Sequence, residues 1–145
     1  MPVFLSDPVR HAVGMLHSGR RGTAAEIAAA ALALMRERYG TDPADVYAVL
    51  GPCICGDCYE VGAEVLPDFA PRFSGADAAS FARPRGNGKY SLDLPSAILL
   101  TLTRAGVRPD RVVPPPVCTC HGGVFPSYRR NGTDRRMITG ISLAE

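Results

Sequence analysis

The sequence predicts an α/β (α+β) fold in which a mixed β-sheet is covered by helices. Three observations carry this reading. Short apolar runs break off at glycine, proline or polar clusters, two longer stretches repeat apolar residues at helical spacing, and the two kinds of segment alternate along the chain. With 145 residues and 46% hydrophobic content the chain has the size of one domain, and residues 1–145 are read as a single unit with its own core.

In chain order, Met1 to Leu5 reads as a strand that is apolar from its start, and a turn at Ser6-Asp7-Pro8 leads to a second strand, Ala12 to Leu16. Thr23 and Glu26 have the spacing of a capping box, and Ile27, Ala31, Leu34 and Met35 recur at helical intervals, so a helix is expected from Thr23 to about Tyr39 with Gly40 as its stop. Asp45 to Leu50 is a short strand that enters a loop rich in glycine and cysteine, Gly51 to Cys58. Tyr59 to Gly62 is expected to continue into a brief helix, and Pro67 to Gly88, rich in Pro, Gly, Ala and Arg, to be irregular. Asp93 then caps a second helix with Leu94, Ile98, Leu99 and Leu102 as its apolar stripe and Gly106 as its terminator. Val107 to Val117 reads as loop and strand interrupted by three prolines, Cys118 to Arg136 as a polar segment, and Met137 to Leu143 as a last strand.

Composition narrows the function classes. A formal charge of +2, without charge blocks or aromatic-interleaved basic stripes, argues against nucleic acid as a partner. The pairs Arg129-Arg130 and Arg135-Arg136 suit a small anion better than a duplex. No apolar run approaches the ~20 residues that span a bilayer, and the N-terminus lacks a basic region followed by an apolar one, so no membrane partner is expected. Five cysteines, crowded into two short segments, make a poor disulfide framework and point to a reducing, cytoplasmic setting.

The richest segment is His17-Ser18-Gly19-Arg20-Arg21-Gly22-Thr23, where a strand hands over to a helix. Glycines let backbone N–H groups approach a ligand, and a helix start leaves donors unpaired, which together suit an anion. Arg21 can grip that anion in bidentate fashion, and His17 can bind a metal or move a proton. The bland alternative is a strand-end histidine beside two solvated arginines, and the clustering favours a site over it. Ser127-Tyr128-Arg129-Arg130 sets an aromatic face beside guanidiniums, suited to a flat ring and a phosphate, although such a run is also common on plain surface. Cys53, Cys55 and Cys58 with Cys118, Cys120 and His121 invite a structural zinc reading, but the Cys-x-Cys spacing argues against it, and the expected role is that of small hydrophobes packed near loop backbones.

Taken together, these motifs resemble those of the laccase-domain proteins, known as polyphenol oxidases and as multifunctional purine nucleoside phosphorylases. That family carries a His-Ala-Gly-Trp-Arg-Gly junction, matched by His17 to Gly22 with Arg20 in place of tryptophan, and a Gly-Pro-x-Ile…Tyr-Glu-Val-Gly loop, matched by Gly51 to Ile54 and Tyr59 to Gly62. Leu92-Asp93-Leu94 matches its helix start, and Cys118-Thr119, Phe125, Ser127 to Arg130 and Arg136-Met137 match its late segment.

The resemblance implies a layered sandwich in which sheets lie between helices. It implies a zinc-dependent purine nucleoside phosphorylase acting on adenosine or inosine with phosphate, with adenosine deamination as a second zinc-assisted reaction. In that reading His17 and Arg21 are catalytic, His17 is also a metal ligand, and Gly22, Thr23, Tyr128 and Arg129 bind substrate. The alternatives are a copper-dependent polyphenol oxidase and a non-catalytic remnant that binds a nucleotide or a partner. Of the family's three zinc ligands only His17 has a match here, and Met1-Pro2-Val3 corresponds to residues just after the family's ligand cysteine. The chain is therefore expected to be the C-terminal part of a family member, N-terminally truncated, and to self-associate through an apolar sheet edge left exposed.

Overall fold

In the computed structural model, residues 1–144 are described, and the first elements follow from the apolar runs at the start of the chain. Strands β1 (Pro2–Asp7) and β2 (Ala12–His17) form an antiparallel hairpin that pairs Pro2 with His17 and Asp7 with Ala12. Its turn is closed by the buried Asp7 carboxylate, which accepts from the backbone N–H groups of Val9 and Arg10 at 3.0 and 3.1 Å. Helices α1 (Arg20–Ala24) and α2 (Ile27–Tyr39) follow, then β3 (Tyr47–Leu50), β4 (Glu60–Gly62), α3 (Gly75–Phe81), β5 (Ala82–Gly86), β6 (Lys89–Leu92), α4 (Leu94–Arg104), β7 (Val112–Val113) and α5 (Tyr128–Asn131).

Two sheets result, giving a mixed α/β architecture. The first has the order β2-β1-β3-β7, antiparallel except for the β3–β7 pair, and the second is the antiparallel set β4-β6-β5. Alternation along β1 and β3 turns Val3, Leu5, Ala48 and Leu50 inward, where they meet Leu32 and Met35 of α2 and Ile98 and Leu102 of α4. A second core lies with the smaller sheet. There Phe69, Phe73 and Phe81 pack ring against ring, with centroids 5.2 to 5.8 Å apart, alongside Leu92 and Leu94.

Several expectations are corrected. The first helix does not open on a Thr23–Glu26 capping box. It begins at Arg20 with Gly19 as its N-cap, and Glu26 takes a left-handed conformation (φ 54°) that separates α1 from α2. The reason lies in Thr23, whose buried hydroxyl accepts from Ser18 Oγ and donates to the Gly19 carbonyl, both at 2.9 Å, so it is spent on fastening the junction. Tyr59 to Gly62 supplies a strand, and the brief helix is a 3₁₀ stretch, Ala63–Asp68.

The stretch 67–88 contains α3 and β5. Helix α3 is opened by a complete capping box between Ser74 and Asp77. Within α4 the Asp93 cap forms as expected, its carboxylate accepting from Ser96 N–H, but Leu99 of the anticipated stripe is 40% exposed. Met137 to Leu143 is not a strand. It makes no ladder hydrogen bonds, Ile138 is fully exposed, and its recorded hydrogen bond to β2 is a side-chain one from Thr139 Oγ1 to Met15 Sδ.

Candidate functional site

The last residue of β2 places His17 at the rim of a cavity of about 480 Å³. Gly19 sits directly against the imidazole: a Cβ there would stand 3.2 Å from His17 Nε2, so the absence of a side chain is what lets the ring lie over the junction. The Met1 ammonium and then partial burial hold the imidazole below its usual pKa, favouring the neutral form.

Four guanidinium-bearing residues line the same cavity, Arg20, Arg129, Arg135 and Arg136, and among the described residues no carboxylate does. Arg20 is steadied by an ion pair with Asp68 at 2.9 Å. Arg129 lies over the Tyr59 ring and donates to the Glu60 carbonyl at 3.0 Å. Tyr59 and Tyr128 add aromatic surface, and Tyr128 is 76% exposed at the cavity mouth. A cavity with this lining can hold an anion by charge-assisted hydrogen bonds and a flat ring by stacking.

The residues singled out from sequence fall into two groups. His17, Tyr128 and Arg129 line the cavity. Arg21, Gly22 and Thr23 do not: Arg21 is exposed on α1, Gly22 packs against the His17 carbonyl and Ile27, and Thr23 is enclosed. The cavity position that sequence reasoning gave to Arg21 is held by its neighbour Arg20. Arg130 instead braces the late segment on itself, its guanidinium donating to the carbonyls of Thr119 and Phe125 at 3.0 Å each.

A second cluster lies beside the first. Ligand atoms of Cys55, Cys58, Cys118 and His121 all lie within 4.8 Å of one another, an arrangement that could hold a metal ion. It forms because two loops are paired: Thr119 N–H donates to the Cys53 carbonyl at 2.8 Å, and Cys53 bridges Cys118 in parallel. Burial raises the Cys118 thiol, but hydrogen bonds from the backbone around Cys55, His121 and Cys120 outweigh this and bring it down to about 6. Burial and bonds to Cys55 and Cys118 push Cys58 up to about 12.

Cys53 is kept apart, buried and pushed up to about 12 chiefly by burial. Here the small-hydrophobe expectation does not describe Cys55, Cys58 and Cys118. The available signal was the spacing Cys55-x-x-Cys58 and Cys118-x-x-His121, hidden by the interleaved Cys53 and Cys120.

The chain is thus a mixed α/β domain in which a strand-to-helix junction carries a histidine to the rim of an arginine-lined cavity. Residues 1–144 match the family described as multi-copper polyphenol oxidoreductase laccase, and the chain belongs to that family. It is 33% identical over 147 residues to the purine nucleoside phosphorylase YlmD of Bacillus subtilis (strain 168), covering all of this chain and 52% of that protein. It is 35% identical over 143 residues to the adenosine deaminase RL5 of an unknown prokaryotic organism, covering 97% of this chain and 54% of that protein. The crystal structure of Bacillus licheniformis hypothetical protein YfiH superimposes with a TM-score of 0.83 at 33% identity, covering 90% of this chain and 49% of that one. The chain thus spans about half the length of the curated relatives it matches. Among the described residues no helix is long and apolar enough to cross a membrane.

Proposed function

We propose that this chain forms the phosphate- and base-holding part of a cytoplasmic purine nucleoside phosphorylase. The observation that carries the reading is the gathering of four arginines, with no carboxylate among the described residues, along the cavity that His17 borders. Relatives named as purine nucleoside phosphorylases support it.

In phosphorolysis a phosphate oxygen attacks the anomeric carbon of the nucleoside. The bond from that carbon to the purine nitrogen breaks, and the base leaves with a proton, giving free purine and a sugar 1-phosphate. Arg20, Arg129, Arg135 and Arg136 would bind and orient the phosphate, and Tyr128 and Tyr59 would face the purine. The neutral His17 offers one N–H and one lone pair to steer the sugar or the departing base. Arg21 and Gly22, on the first turn of α1, would contribute charge and backbone dipole from behind the junction, with Thr23 positioning it.

The zinc that the resemblance implies does not fit this site as the chain presents it. Catalytic zinc takes three protein ligands, and among the described residues His17 belongs to no group of ligating side chains. The same holds for copper. Zinc dependence of the phosphorylase would therefore require ligands that these residues do not supply.

Deamination is the weaker reading despite the relative named adenosine deaminase, because it uses water as the nucleophile and has no need of clustered guanidiniums. The test is calorimetric titration of the chain with inorganic phosphate and with inosine, alongside assay for sugar 1-phosphate. Binding with turnover is expected. Binding without turnover would favour the non-catalytic remnant, and absence of phosphate binding would overturn the reading.

A further inference from the structure

We propose that Cys55, Cys58, Cys118 and His121 form a structural Zn²⁺ site that clips the Gly51–Cys58 loop to the segment beginning at Cys118. The inference is independent of the phosphorylase reading, since none of these four residues is assigned to the substrate cavity.

The geometry is close to what tetrahedral zinc requires. Zinc bonds of about 2.3 Å to sulfur and about 2.0 Å to nitrogen place neighbouring ligand atoms roughly 3.5 to 3.8 Å apart in a tetrahedron. Here Cys58 Sγ and Cys55 Sγ lie 3.2 and 4.0 Å from His121 Nδ1, and no pair among the four exceeds 4.8 Å. Changes of roughly an ångström or less in these separations close the set.

Each ligand pair is also carried by a tight turn. Cys58 N–H donates to the Cys55 carbonyl at 3.2 Å across the 3₁₀ turn Gly56–Cys58, and Gly122 N–H donates to the Cys118 carbonyl at 2.9 Å. The Cys55 N–H donates to Cys118 Sγ at 3.3 Å, which is the outer hydrogen bonding that orients a ligand sulfur.

Ligand type and number decide the metal and its role. Three thiols and an imidazole in a tetrahedron select zinc over harder cations, and four protein ligands leave no open position for substrate, so the site is structural. The fold supplies a need for it. Among the described residues from Cys118 onward the only helix is the four-residue α5. Arg130 bonds within the segment itself, and few contacts tie the segment to the rest of the fold, chiefly the Thr119–Cys53 bond and Arg129 on Tyr59 and the Glu60 carbonyl. A metal joining residues 63 positions apart would anchor this segment just upstream of Tyr128 and Arg129, which form a wall of the His17 cavity.

The chain, purified under reducing conditions, is expected to bind about one zinc per molecule by elemental mass spectrometry, and cobalt substitution to give the ligand-field and thiolate charge-transfer bands of a tetrahedral centre. Cys58→Ser and His121→Ala should each lower zinc retention at least about tenfold. Cys53→Ala, Cys120→Ala and His17→Ala should leave it unchanged. Failure of the reduced, folded chain to bind zinc in equilibrium dialysis would overturn the proposal. So would zinc retained by the Cys58→Ser/His121→Ala double variant, or lost with His17→Ala.

Should the ligand variants fail to fold, alkylation of the unaltered chain decides. Zinc should protect Cys55, Cys58 and Cys118 and leave Cys120 reactive, with a chelator abolishing the protection. Equal labelling with and without zinc counts against the site.

Discussion

The guanidinium carbon of Arg129 lies 5.2 Å from the centre of the Tyr59 ring, and its Nη1 donates to the carbonyl of Glu60, the next residue along. One side chain thus ties the late segment of the chain to the start of β4 at the edge of the cavity that Arg129 lines. Replacement by alanine removes both contacts. Arg129→Ala is expected to weaken phosphate binding by about 1.5–3 kcal/mol, the range for a hydrogen bond to a charged group. Titration calorimetry checks it. Arg129→Lys should recover little, because the planar fork that spans ring, carbonyl and anion is absent from an ammonium group.

Gly19→Ala isolates the placement of the imidazole. The Gly19 backbone is extended (φ −88°, ψ −174°), which alanine tolerates, yet the added Cβ would press on His17 Nε2 at 3.2 Å. The expected outcome is a shifted His17 ring resonance and reduced phosphorolysis, with a melting temperature within a few degrees of the parent. Unchanged ring signals in NMR would show that the ring does not depend on that space.

Leu5→Ala tests the larger core. Leu5 is wholly enclosed between β3 and the helices, and truncation should cost about 2–5 kcal/mol in urea unfolding. Leu99→Ala on the exposed side of α4 should cost well under half of that.

Acid sensitivity is expected from Asp77. The Arg104 guanidinium, 2.6 Å away, and then Ser74 through its hydroxyl and backbone N–H hold this carboxyl down to about 2. Its folded value lies below the ordinary ~3.9, so its contribution is fully present above about pH 4 and is lost as pH falls through about 2. Asp77→Asn should flatten the fall in stability over that window in pH-dependent thermal melts.

The uncovered face of the first sheet predicts association. Met15, Tyr47, Val49 and Val113 are all exposed there, and β2 has β1 as its only strand neighbour among the described residues. We expect sedimentation velocity to show concentration-dependent self-association that Val49→Lys reduces. A monodisperse monomer at every concentration would refute it.

How far the sequence could be read depended on whether a residue's role was local. Asp93 capped α4 as its spacing announced, because a cap needs only its own first turn. Thr23 had the same credentials, but a tertiary partner, Ser18, took its hydroxyl, while a genuine capping box at Ser74 and Asp77 lay unnoticed in a stretch whose Pro and Gly content read as loop. Met137 to Leu143 read as a strand, yet a strand requires a neighbour to pair with, which no local pattern reveals. For the site, the junction histidine and the Tyr128-Arg129 pair were visible as motifs. The presence of Arg20 in the cavity in place of Arg21 was not, since one residue of helical rotation decides it.

The cavity sets Arg129, Arg135 and Arg136 beside Arg20, whose charge Asp68 partly balances, so an oxyanion bound there would offset the positive charge that remains. Sulfate, phosphate or citrate in a preparation would therefore act as silent occupants, raising thermal stability in proportion to the logarithm of their concentration while blunting every titration with the true ligand. Titrations of this protein belong in chloride-based, amine-buffered solution, where chloride would be only a weak rival for the arginines.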